Sequence, residues 1–102
     1  MMKQCCKDYL IEQFVDEDVV NEIYAEYVKS VQEKLPEIET ALATENWSKL
    51  DSLAHAVKGN ALATGDTEVA EVAIALRIAA KMSEKDKANS LFAKLKELAK
   101  TI

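Results

Sequence analysis

Glycine and proline are almost missing from this chain, and that scarcity limits its fold more than any other feature. Its 102 residues include two glycines, Gly59 and Gly65, and one proline, Pro36. Hairpins and tight turns depend on such residues for backbone conformations that others resist. A chain with so little turn chemistry is expected to form helices joined by short connections. Apolar residues make up 49% of it, enough for one compact core in a single domain.

The pattern of apolar residues places the helices. Asp16 is a good N-cap, and Glu17 and Asp18 suit a first helical turn. The helix that follows carries Val20, Ile23, Tyr24, Tyr27, Val31, Leu35, Ile38 and Leu42 as one stripe. Pro36 interrupts it, but the stripe stays in phase on both sides, so one kinked helix is expected and not two in line. Thr44-Glu45-Asn46 is the next break, with Asn46 as N-cap of a third helix from Trp47 to about Ala63. Gly65 is placed to cap its end, and Asp66 or Thr67 starts a fourth helix reaching about Met82. Ser83-Glu84-Lys85-Asp86 fits a capping box opening a fifth, with Ala88, Leu91, Phe92, Leu95, Leu98 and Ile102 on one face. A short helix from about Lys7 to Phe14, in contact through Tyr9, Leu10 and Phe14, comes first.

The expected fold class is therefore all-α. Residues 16–102 form an antiparallel up-down four-helix bundle, and residues 1–15 are an N-terminal segment with a short additional helix. On the fourth helix Val69, Val72, Ala73, Leu76 and Ala80 make the stripe, while Ile74 and Ile78 point elsewhere. Packing under the fifth helix or at the bundle edge is expected for these two; a partner or dimer surface is the alternative.

The formal charge of −5 argues against a nucleic-acid binder, which needs a basic face for phosphates, and suits an anionic membrane surface equally poorly. The N-terminus lacks the apolar run of a signal peptide, and the Val69–Met82 stretch is too short and too charged to span a bilayer. Cys5 and Cys6 are adjacent and cannot staple distant parts of a fold. With His55 they match no zinc pattern, so no metal is expected. A cytoplasmic monomer with reduced thiols is the expectation.

His55 is the only histidine, and both glycines lie within ten residues of it. At roughly 100° per residue, Leu50, Leu53, Ala54, Val57 and Ala61 cluster on one face of the third helix, and His55 points roughly 140° from Leu50. Ser48, Asp51, Ser52 and Gly59 share its side. Gly59, a residue type that costs about 1 kcal/mol in a helix interior, would leave bare backbone beside the ring. Lys58, three residues on, can neutralise a phosphoryl group placed on the ring. An exposed imidazole is largely neutral and nucleophilic near neutral pH. These features suit a phosphoryl acceptor approached by another protein. No triad pattern, phosphate-cradling loop or metal site accompanies them.

His55-x-x-Lys58-Gly59, followed by Ala61 and Gly65, resembles the signature of histidine-containing phosphotransfer (HPt) domains. Trp47, Leu50 and Leu53-Ala54 upstream extend the resemblance, which covers roughly Asp16 to Ile102. It implies that His55 accepts a phosphoryl group on its distal ring nitrogen, with Lys58 as its charge partner. Receiver domains would dock on the histidine helix and the helix before it, and Asp51, Ser52, Gly59 and Leu62 are the expected docking residues. The resemblance implies no cofactor and no ATP site in this chain; Mg²⁺ would sit on the partner. The partner would be a response-regulator receiver domain, a hybrid sensor kinase, or both.

The chain departs from the family pattern at Asn60, Thr64, Asp66 and Arg77, where a small, an apolar, a small residue and often a glutamate are usual. Asn60 and Asp66 are expected near the docking surface, and Thr64 and Arg77 between the third and fourth helices. Two other readings compete with the relay. One is a non-catalytic helical adaptor that binds a signalling partner without phosphotransfer. The other is a dimeric structural bundle built on surplus apolar surface. Met1 and the charged ends lean toward a free-standing chain, or toward a domain excised at its edges from a larger protein.

Overall fold

The computed structural model describes residues 2–14 and 16–102. Met1, which bears on the free-standing expectation, and Val15, which ends the N-terminal segment, lie outside the described residues. The described residues form five helices and no strand. They are α1 (Gln4–Gln13), α2 (Glu17–Ala43), α3 (Trp47–Thr64), α4 (Thr67–Lys81) and α5 (Lys85–Ala99). Helices α2 to α5 pack in a ring, α2 on α3, α3 on α4, α4 on α5 and α5 on α2. α1 rests on α2 and α3. Among the described residues no helix is long and apolar enough to cross a membrane.

α2 continues through Pro36 as one helix, as its uninterrupted stripe requires. Val20, Tyr24, Tyr27, Val31, Ile38 and Leu42 are buried, and Ala41 joins them. Asp16 caps it, accepting from the Asp18 amide at 2.9 Å.

The three connections after α2 share one construction. Glu45, Gly65 and Ser83 each adopt positive φ, at 51°, 78° and 52°. Each donates its amide to the carbonyl three residues back, and the next residue donates to the carbonyl five residues back. This is the Schellman pattern, which satisfies carbonyls that a helix end leaves without partners. The five-back acceptors are Ala41, Ala61 and Ala79, all buried and all small enough for the chain to fold back on them. The residue completing each pattern, Asn46, Asp66 or Glu84, also caps the next helix, so the connections are short.

Glu45 and Ser83 show that positive φ alone does not demand glycine in this chain. Gly65 answers to a further constraint. A Cβ there would meet the Tyr9 Cβ at 2.4 Å, because α1 crosses directly over the corner.

Several expectations need correction. α1 begins three residues earlier than expected and ends before Phe14. Its buried contacts are Cys6 and Leu10, while Tyr9 and Phe14 are 37% and 40% exposed. Tyr9 still touches the bundle, but through its Cβ at Gly65. The capping box at Ser83 does not form. Ser83 is the left-handed residue ending α4, and Glu84 is the N-cap of α5, without a side-chain bond. Ile74 and Ile78 do not pack under α5; they are 42% and 52% exposed.

Asp66 is not a surface residue either. Its carboxylate is fully buried. It accepts from Tyr27 Oη of α2 at 2.8 Å and from Lys3 Nζ, ahead of α1, at 2.8 Å. It also caps α4 through the Val69 amide at 3.3 Å. Tyr24 Oη accepts from the Lys3 amide at 3.2 Å, and the Tyr24 and Tyr27 rings meet edge to face. Burial, then the Asp66 hydrogen bond, pushes the Tyr27 phenol up. Burial also raises Tyr24, and burial with the Asp66 charge pushes the Cys6 thiol up to about 12. For Lys3 burial acts to lower the ammonium, but its bonds to Asp66 and Glu68 outweigh that and raise it.

Two predictions follow from these constraints. Gly59→Ala should stabilise the fold by about 1 kcal/mol, since nothing lies within 4 Å of the added methyl. Gly65→Ala should cost about 2 kcal/mol or more, and less in a Tyr9→Gly background, which removes the Cβ it would meet. Urea unfolding of the wild type, the three single variants and the double variant checks both signs.

The second concerns alkali. Lys3, Tyr24, Tyr27 and Cys6 all hold their protons more tightly in the folded chain than at their ordinary values of 10.5, 10.0, 10.0 and 9.0. Their stabilisation is complete below those values and is lost as pH rises through the folded ones, because the unfolded chain then binds fewer protons. Stability should fall from about pH 9 upward, and Tyr27→Phe should make the fall shallower. At neutral pH the same variant should cost about 1–3 kcal/mol by leaving an Asp66 oxygen without its donor.

Candidate functional site

The position of His55 follows from what α3 buries. Leu50, Leu53, Ala54, Val57 and Ala61 are at most 6% exposed, so this face fixes the rotation of the helix. Asn46 anchors its start, accepting from the Lys49 amide at 3.2 Å, and Gly65 fixes its end. With both ends and the core face held, His55 is directed to solvent.

The residues expected around it are on the same helix. Ser52 and Gly59 are exposed, and Lys58 is half-buried one turn on. The space above Gly59 is open, with no heavy atom within 4 Å of where a Cβ would stand. Leu62, two turns past His55, is 50% exposed. The surface thus offers an imidazole, an ammonium stem, bare backbone and an apolar side chain along one stripe of α3.

Asp51 is held differently from the others. It accepts from Arg77 Nε of α4 at 2.9 Å, and the two side chains are 30% and 25% exposed. Arg77 does bridge α3 and α4, but as an ion pair one turn from His55 and not by packing alone. The sequence carried a signal for this, a carboxylate beside the histidine and a cation off the apolar stripe of the next helix. Which carboxylate Arg77 reaches depends on the alignment of α3 with α4, which the sequence leaves open.

Asn60 and Thr64 face α2. Asn60 Nδ2 donates to Ser30 Oγ at 2.8 Å, and Lys34 Nζ donates to the same oxygen at 2.9 Å. Thr64 is buried, its hydroxyl donating to the Asn60 carbonyl one turn back in α3. Both line an open groove between α2 and α3, of about 510 Å³, with Glu22, Glu26, Ser30 and Ala63 among its walls. Asn60 therefore cross-links two helices, and Thr64 shares with α2 the lining of this groove.

A family model described as the Hpt domain matches residues 22–102, which include most of α2 and all of α3, α4 and α5. No curated protein and no solved structure gives a significant match.

The Asp51–Arg77 pair lies at the edge of the solvent, where ion pairs contribute modestly. A double-mutant cycle with Asp51→Ala and Arg77→Ala should return a coupling of about 0.5–1 kcal/mol that shrinks in high salt. Thermal or urea unfolding of the four proteins measures it.

Proposed function

The chain belongs to the Hpt domain family, and from that premise we propose that it relays a phosphoryl group through His55 between receiver domains, or from a sensor kinase to a receiver. Hpt domains serve histidine phosphotransfer in phosphorelays. The observation that carries the assignment to this residue is the exposure of His55 beside open backbone at Gly59, on a helix whose opposite face is fixed in the core.

In the step itself, the lone pair of the distal imidazole nitrogen attacks the phosphorus of an aspartyl phosphate on the receiver. The N–P bond forms as the P–O bond breaks, and the receiver's carboxylate leaves with the electron pair. The imidazolium proton on the other ring nitrogen then passes to solvent. Mg²⁺ held by the receiver screens the moving charge. Lys58 supplies a cation on this side, and its helical lean toward the preceding turn brings its stem along the His55 ring. Reversal of the step returns the group to a receiver.

The relay reading includes the architecture. The four helices α2 to α5 run up and down as an antiparallel bundle, and α1 is an addition outside the family match. Gly59 gives clearance for the incoming domain, and Ser52, Asp51 and Leu62 border the contact. The protein acts as a cytoplasmic monomer whose specificity resides in the surface around His55.

Incubation with a phosphorylated receiver and Mg²⁺ should yield acid-labile, base-stable phosphate on this chain, and His55→Gln should abolish it. Absence of transfer from every receiver of its own cell, or transfer that persists in His55→Gln, would refute the relay. Gly59→Leu should leave the fold intact, because space is open there, yet slow transfer at least tenfold by obstructing the partner. An unaltered rate in that variant would rule out the docking role of Gly59.

A further inference from the structure

Resting on the reading of His55 as phosphoryl acceptor, we propose that the Asp51–Arg77 ion pair is a latch that the phosphoryl group opens, with Asp51 and phospho-His55 competing for the Arg77 guanidinium. Asp51 stands four residues before His55 on α3. Residues so spaced are surface neighbours, with about 5–6 Å between their Cβ atoms. Helical side chains lean toward the N-terminus, so the His55 ring overlies the turn that carries Asp51. Arg77 reaches that turn from α4 and donates from Nε to Asp51 Oδ1 at 2.9 Å. Both side chains keep partial contact with solvent, so the guanidinium can change partners without crossing the core.

Phosphorylation of His55 places a doubly charged group beside this pair. A guanidinium fits phosphoryl oxygens with parallel N–H donors, a stronger arrangement than one bond to a carboxylate. The same negative charge repels Asp51. Arg77 therefore transfers to the phosphoryl group or bridges to it, and Asp51 turns to solvent. Lys58 approaches the ring from the following turn, so cations flank the phosphoryl group on both sides. In the unphosphorylated chain Asp51 keeps Arg77 close but neutralised. Asp51 thus weakens the hold on the phosphoryl group, leaving it transferable, and Arg77 acts as a positioning residue.

The test uses the full chain and phosphoramidate. That donor phosphorylates the imidazole as its P–N bond breaks and ammonia leaves, the ring N–H proton passing to solvent. The phosphoryl resonance is then titrated by ³¹P NMR. A nearby cation favours the dianion, so Arg77→Gln should raise the pH of the last phosphoryl deprotonation by roughly half a unit or more. Asp51→Asn should lower it, and that shift should shrink by at least half in the Arg77→Gln background. Arg77→Lys, which keeps the charge, should retain most of the wild-type value. Circular dichroism melts establish that each variant is folded.

Shifts of the same sign in both single variants, or an Asp51→Asn shift that is unchanged without Arg77, overturn the latch. Titrations that do not move also overturn it, and leave the relay standing. Failure of His55 to take the phosphoryl group from phosphoramidate in the wild-type chain refutes the acceptor assignment itself, and the latch with it.

Discussion

The buried carboxylate of Asp66 is the interaction on which the rest of the arrangement depends. It lies at the corner between α3 and α4, fully out of solvent, and its oxygens receive a lysine from the N-terminal segment, a tyrosine from α2 and the Val69 amide in the first turn of α4. A charge buried this deeply is costly unless it is paired and hydrogen-bonded. Here the bonds that satisfy it come from three separate parts of the chain. Satisfying Asp66 therefore sets where α1 is tethered, how α2 faces the corner, and where α4 begins. No buried side-chain polar atom among the described residues is left without a partner.

That corner also fixes the far end of the histidine helix. α3 is held at Asn46 by a cap and at Gly65 by a Schellman turn that Tyr9 presses against. Between these ends its buried face leaves one rotation available. The glycines thus have opposite roles. Gly65 is needed because α1 leaves no room for a side chain, and it contributes to stability. Gly59 has empty space above it and, in a helix interior, costs stability. His55 is placed by rigid features, while the space beside it at Gly59 is open.

The polar residues on the flanks of α3 divide into two sets. Asn60 and Thr64 serve the α2 side, one through Ser30 and the other through its own helix. Asp51 serves the α4 side through Arg77. His55, Gly59 and Leu62 stand between and remain exposed. Departures from the usual family residues at Asn60, Thr64 and Arg77 are in this way tied to helix contacts. Arg77 alone is also within reach of the surface around His55. Ile74 and Ile78, on the same helix as Arg77, stay exposed, while Val72 and Ala75 of α4 face Leu91 and Leu98 of α5 across a groove.

The sequence by itself determined the helices, their approximate ends and the outward direction of His55. These depend on periodicity and capping, which are local: Leu50, Leu53, Ala54 and Val57 define a face whatever they pack against, and Asp16 and Asn46 cap where they stand. It also gave the family, through the spacing of His55, Lys58, Gly59 and Gly65. The tertiary structure decided what each polar residue bonds to. Asp66 looked like a surface residue beside a glycine, but a lysine 63 positions away and a tyrosine 39 positions away make it a buried anchor. Ser83 looked like a cap, but the α4–α5 corner needed a left-handed residue there more than it needed a side-chain oxygen. Arg77 met Asp51 only once α3 and α4 were aligned. A helix end can be read from a few neighbouring residues, whereas a hydrogen-bond partner far along the chain depends on the relative placement of whole helices, which packing alone sets.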